Sequence, residues 1–248
     1  MTTHDDNQAA WPIPERAAFL ASLRLFRDLL PETLRAIAGR MRVTPVADGD
    51  FVFVEGTRAD AINLLASGRI KVIHETDDGR EVILRLIQPG EIFGGAGIWG
   101  DDSYPASAIA LEDAVVLRLP AREVTTLAKK HPEFALALVA ELAARLREAE
   151  ARIQELQTER VERRIARALL RLTDKLGRKT ERGIEIDLPL SRQDLAELAG
   201  TTLSTASRTL SAWQQQGMIW AGRERVIILR PHALVALAED FEPPPEAG

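Results

Sequence analysis

"GTTLSTASRTLSAWQQQGMI", residues Gly200 to Ile219, is the stretch on which the reading of the whole chain turns. At helical spacing, Ala206, Leu210, Trp213 and Gly217 fall along one face and Ser204, Ser207, Arg208 and Ser211 along another. The first face suits a small core. The second joins short hydroxyls to one long forked cation, a set that suits the edge of a base pair and equally suits water. The neighbouring segments decide between the two.

Upstream, "SRQDLAELAG" opens with a helix start signal, Ser191 as N-cap and Asp194 in the position of a capping-box acid, and stops at Gly200. Thr202 caps the next helix, and "MIWAGRERVIILR" reads as two short strands around a turn at Gly222 to Arg225. Helix, Gly-containing turn, amphipathic helix and basic hairpin together spell a winged helix-turn-helix. In that frame the second helix enters the DNA major groove, where Arg208 can offer a bidentate contact to guanine O6 and N7. Ser204, Thr205 and Ser207 reach bases or phosphates, and Leu203 sets methyl groups against thymine. Ser191, Arg192 and Gln193 suit phosphate anchoring through side chains and free backbone N–H groups, as do Arg223 and Arg225 from the wing.

Charge is distributed to match. The 248 residues carry a formal net charge of −5, yet residues 160–232 hold 14 Lys and Arg against 8 Asp and Glu. A polyanion partner fits that part alone. With 46% hydrophobic residues the chain can bury a substantial core, and its lack of cysteine excludes disulfides, thiolate-held iron–sulfur clusters and cysteine nucleophiles. "MTTHDDNQAAWPIPER" is no signal peptide, and no uncharged run is long enough to span a bilayer, so a soluble cytoplasmic protein without membrane contact is expected.

Before the basic part the texture changes twice. "FLASLRLFRDLLPETLRAIAGRM" reads as two short amphipathic helices broken at Pro31. From Arg42 to Leu119, β-branched and apolar runs are punctuated by glycines at roughly ten-residue spacing, the pattern of an antiparallel sandwich or barrel, with the Asp-Gly of "TDDGR" as a tight hairpin. A long stretch without Gly or Pro follows, in which Val139, Leu142, Leu146, Ala149, Ile153 and Leu156 recur at alternating steps of three and four. That is a coiled-coil seam and a dimer interface; the competing reading is a helix packed on its own sandwich. "ERRIARALLRLTDKLG" is another amphipathic helix, stopped by Gly177; "RKTERG" is a turn and "IEIDLPL" a strand.

"LPLSRQDLAELAGTTLSTASRTLSAWQQQGMI" strongly resembles the helix-turn-helix of the CRP/FNR superfamily of bacterial transcription regulators, and the order of elements matches that family over nearly the whole chain. The resemblance implies an α+β architecture: an N-terminal antiparallel β-roll sensor over residues 17–128, a dimerisation helix over 132–159, a winged helix-turn-helix over 160–238 and a flexible tail over 239–248. It implies a homodimer on a palindromic double-stranded operator, contacting RNA polymerase if it activates. Arg192 and Gln193 fall where relatives touch phosphate, and Arg208 on the base-reading arginine. Ser204 stands where many relatives carry a glutamate, so a different half-site is expected.

"GEIFGGAGIWGDDSYPASAIALED" resembles the family's effector segment, with Gly94, Gly95, Ala96, Gly97, Tyr104, Pro105 and Ala106 as its pocket. Cyclic-nucleotide binders carry Glu, Arg and Ser where this chain has Gly95, Pro105 and Ala106, so cyclic AMP is not the expected effector. "YPASA" and "GTTLSTASRTLSAW" look most like the nitric-oxide-responsive, haem-associated NnrR/Dnr branch, for which His74 is the candidate axial ligand among His4, His74, His131 and His232. A lone histidine on a strand is more often a surface or packed residue, and His131 is expected to begin a helix. No HExxH, P-loop or Rossmann glycine pattern is present, so an enzyme is not expected; Asp101 and Asp102 read as a loop tip. The alternative is a β-roll dimer that binds a small molecule without reading DNA.

Overall fold

The computed structural model describes residues 11–76, 81–98 and 102–239. These divide into two compact units, Met1–Arg147 and Glu148–Gly248. The boundary falls inside the long helix, whereas the sequence reading kept that helix as a separate segment. The hairpin turn expected at Asp78 and Gly79, the loop-tip Asp101 and the tail from residue 240 lie outside the described residues.

The first unit opens with α1 (Ile13–Ser22) and α2 (Pro31–Arg40). Pro31 opens the second helix instead of interrupting one, because a first-turn residue needs no N–H and proline's φ is already helical. Eight strands follow: β1 (Arg42–Val46), β2 (Phe51–Phe53), β3 (Ala61–Ser67), β4 (Ile70–Glu75), β5 (Glu81–Ile87), β6 (Ile92–Phe93), β7 (Ser107–Ala110) and β8 (Ala114–Pro120). They form two antiparallel sheets, ordered β1-β8-β3-β6 and β2-β7-β4-β5. The first five residues of β3 are all buried, which explains its near-continuous apolar run. Gly68 turns the chain into β4 at φ +83°, where an added Cβ would sit 2.7 Å from the backbone of Ala114.

Leu65, Ile70, Ile87, Phe93, Tyr104 and Val116 fill one core cluster of the roll. Leu20, Ile37, Leu64, Leu117, Val124 and Phe134 fill a second, where α1, α2 and α3 (Ala121–Lys130) join it. His131 stands at a helix start, as expected, since the next helix begins at Pro132, and it also caps the end of α3, with Nδ1 3.0 Å from the Thr33 hydroxyl.

α4 (Pro132–Thr158) runs across the boundary between the units. The second unit continues with α5 (Val161–Leu176), β9 (Gly177–Thr180), β10 (Gly183–Ile186), α6 (Arg192–Leu198), α7 (Leu203–Gln215), β11 (Ile219–Ala221), β12 (Val226–Ile228) and α8 (Pro231–Glu239). Its sheet runs β11-β12-β10-β9. "RKTERG" is thus half strand, and Gly177 stops α5 in an extended conformation because the chain passes straight into β9. Glu239, expected in the tail, is the last residue of α8.

Candidate nucleic-acid interface and effector segment

Two caps build the helix-turn-helix. Ser191 Oγ accepts from Asp194 N at 3.1 Å while Asp194 Oδ2 accepts from Ser191 N at 2.8 Å, the reciprocal pair that starts α6. Gly200 makes the turn at φ +59°, and Thr202 Oγ1 accepts from Thr205 N at 3.3 Å to start α7. Ala206, Leu210 and Trp213 are buried on the inner face, with Thr209 beside them.

The outer face of α7 presents Leu203, Ser204 and Arg208 exposed, with Thr205 and Ser207 half-buried. Arg208 has no hydrogen bond or ion pair among the described residues. The Thr202 hydroxyl lies 3.0 Å from both the Ser204 and Thr205 hydroxyls, so these three form one small network at the helix start. Arg192, expected on an outward face, is half-buried: Nη1 points to the Ser207 carbonyl at 3.4 Å and the Ser211 hydroxyl at 3.3 Å, bridging α6 to α7. Gln193 Nε2 donates to Glu197 Oε1 at 2.6 Å.

On the wing, Arg223 is exposed at the turn between β11 and β12. Arg225, expected to be a phosphate contact, is engaged within the sheet. Both its Nε and its Nη2 donate to the Glu185 carboxylate, the latter at 2.9 Å, and Arg178 Nη2 donates to the same group at 2.9 Å. The hydrogen bond from Arg225 holds the Glu185 carboxyl below the usual range. Arg182 lies 5.3 Å over the Trp220 ring. Sequence reading passed over Glu185, Arg178 and Arg182; the available signal was a single acid inside the apolar strand "IEI" between arginine-rich turns.

The seven residues expected to line the effector pocket do not share one environment. Ala96 and Pro105 are exposed, Gly94 and Gly95 are half-buried, and Gly97, Tyr104 and Ala106 are buried. Tyr104 belongs to the core: its ring stacks on Phe53 at 3.9 Å between centroids, and its hydroxyl lies 3.2 Å from Asp60 Oδ1 and from the Ala61 carbonyl. Burial raises its phenol above the ordinary pKa, with Asp60 adding to the effect. Asn63, whose Nδ2 stands against Gly94, is fully buried, with neither amide atom partnered. His74 stands half-exposed on β4 with Nδ1 3.0 Å from Glu55 Oε2.

Along α4 the expected seam is an exposed apolar stripe. Phe134 is the buried residue of this helix, whereas Val139, Leu142, Leu146 and Ile153 are 59%, 55%, 61% and 55% exposed. Ala149 is exposed too, and Leu156 is the most covered of the five larger side chains at 39%. Within the first unit, Val139, Leu142 and Leu146 are not buried against the sandwich among the described residues.

A β-roll followed by a long helix and a capped helix-turn-helix with an outward arginine defines the class of DNA-binding regulators. Residues 43–131 match the family described as cyclic nucleotide-binding domain and residues 163–237 the Crp-like helix-turn-helix domain. The chain is 32% identical over 198 residues to the cyclic AMP receptor protein of Thermus thermophilus, covering 80% of this chain and 88% of that one. To the transcriptional activator protein Anr of Pseudomonas protegens it is 29% identical, over 79% and 80% of the two chains. Among solved structures, a CRP-family transcriptional regulator from Thermus thermophilus superimposes with a TM-score of 0.65 at 28% identity, covering 79% of this chain and 96% of that one. The chain belongs to the CRP/FNR family of transcription regulators. It is a DNA-binding regulator and not an enzyme. No helix among the described residues is long and apolar enough to cross a membrane.

Proposed function

We propose that the protein is a cytoplasmic homodimer that reads a palindromic operator through α7 and responds to an effector other than cyclic AMP; where it activates, its partner is RNA polymerase. The observation that carries this reading is Arg208, exposed and unengaged on a helix whose opposite face is locked into a core. A cation held out with no partner of its own suits a guanine edge. Arg223 is left to meet phosphate, as is the half-buried Arg192 at the start of α6.

These roles separate in measurement. Arg192→Ala is expected to weaken specific and random duplex about equally and to lower the salt slope by about 1 for each phosphate left without its arginine, hence about 2 per dimer. The bridges to Ser207 and Ser211 are long, and their removal costs less than about 1 kcal/mol of stability. Titrations of both duplexes across a salt series check it; an unchanged slope removes Arg192 from the phosphate-binding set.

Against cyclic AMP stand Gly95, Pro105 and Ala106, which offer no charged or hydroxyl group to a cyclic phosphate or its ribose, and Tyr104, whose ring is committed to Phe53. Calorimetry with cyclic AMP is expected to show no saturable binding. Micromolar binding with a gain in operator affinity overturns this assignment. The segments "YPASA" and "GTTLSTASRTLSAW" support a place near the nitric-oxide-responsive NnrR/Dnr branch. His74 is half-exposed with its Nδ1 already engaged by Glu55, so no haem chemistry is assigned to it.

A further inference from the structure

We propose that Arg164 is a positioning residue: it fastens the turn of the helix-turn-helix to the end of α4 and so sets the spacing at which two copies read DNA. Its own side chain touches no base. Arg164 lies on α5 and is 9% exposed, with Nη1 donating to the Leu156 carbonyl at 2.7 Å and Nη2 to the Gly200 carbonyl at 3.1 Å. No carboxylate pairs with it among the described residues.

A buried guanidinium without a counter-ion is costly, and what offsets the cost is its place at two helix ends. Leu156 is among the last four residues of α4, whose carbonyls lack in-helix partners, and Gly200 follows the end of α6. Both helix dipoles turn their negative ends toward the cation, and the planar fork reaches both carbonyls at once.

Three other contacts make the same joint. Leu156 Cδ2 covers the turn at Gly200, whose φ of +59° favours glycine. Arg171 Nη1 reaches both oxygens of Glu155 at 3.0 Å, binding the last turn of α4 to α5, and Glu159, just past α4, faces Arg167 Nε at 3.1 Å. This end of α4 belongs to the same compact unit as α7, which starts at Leu203, three residues beyond Gly200. Ala149, Ile153 and Leu156 therefore travel with the reading helix. Leu156 has two neighbours to serve, the seam and the turn.

The inference rests on α4 as the dimer helix and α7 as the reading helix. Failure of either shows in the parent protein, as monomers or as absence of sequence preference, before any variant is made. The probe is the palindromic duplex that the parent selects from a randomised pool, together with duplexes one and two base pairs longer between half-sites, and a single half-site. Arg164→Met is expected to remain dimeric in sedimentation and to keep its base preference on the half-site. On the parent-spaced operator it is expected to bind at least tenfold more weakly, with the preference over the lengthened operators flattened. Arg164→Lys keeps the charge but cannot fork to two carbonyls, and is expected to fall between parent and Arg164→Met. Should Arg164→Met fail to fold, Arg164→Lys carries the same test. An unchanged spacing preference in the folded variants overturns the proposal, as does a loss equal on every spacing and on the half-site.

Discussion

Replacing Leu146 and Ile153 together by glutamate is expected to give monomers in sedimentation and to remove tight binding to the palindromic operator. Both side chains are more than half exposed in the single chain, so the substitutions leave its core untouched. Burying a Leu or Ile is worth about 1.5–3 kcal/mol. At the lower figure, scaled to the part of each side chain still exposed, two positions in each of two copies forfeit about 3.5 kcal/mol, more than two powers of ten in the dissociation constant of the dimer. Like charges facing each other across the seam add to the loss. Leu146 lies in the first compact unit and Ile153 in the second, so the stripe spans both. Dimers of parental stability in the double variant would place the interface elsewhere.

The features legible in the sequence are those whose partners lie within a few residues. Ser191 and Asp194 form their capping box, Thr202 caps α7, and the Ala206, Leu210, Trp213 face is buried as helical spacing requires. The α4 stripe was equally legible, since an apolar period persists whether or not its partner is present.

What could not be read is chemistry between distant residues. Arg225 looks free beside Arg223 until Glu185, 40 residues away, takes both ends of its guanidinium. Arg192 looks outward until the α6–α7 crossing sets it against Ser207 and Ser211. Tyr104 looks like pocket lining in "SYPAS", yet Phe53, in the neighbouring strand of the sandwich, draws it into a ring stack. Each case is a polar or aromatic side chain whose role is decided by tertiary packing. No local spacing encodes that choice.

Arg208→Ala is expected to lose about 1–3 kcal/mol for each half-site and to relax the preference at one base pair, with far less loss on random duplex. The size follows from removing a bidentate guanine contact, and the asymmetry from its nature. A phosphate contact is present on every sequence, whereas a base-edge contact exists on one. The fold is expected to survive, because Arg208 is exposed and has no partner among the described residues, while Ala206, Thr209 and Leu210 beside it hold the helix down. Ser204 and Thr205 already share hydroxyl contacts with Thr202, so they compete poorly as free readers and leave Arg208 the principal one. Selection from randomised duplexes by parent and variant compares them position by position. If Arg208→Ala kept the parental preference everywhere, the bases would have to be read through Ser207 or through the shape of the DNA, and the unengaged guanidinium on α7 would be a surface cation only.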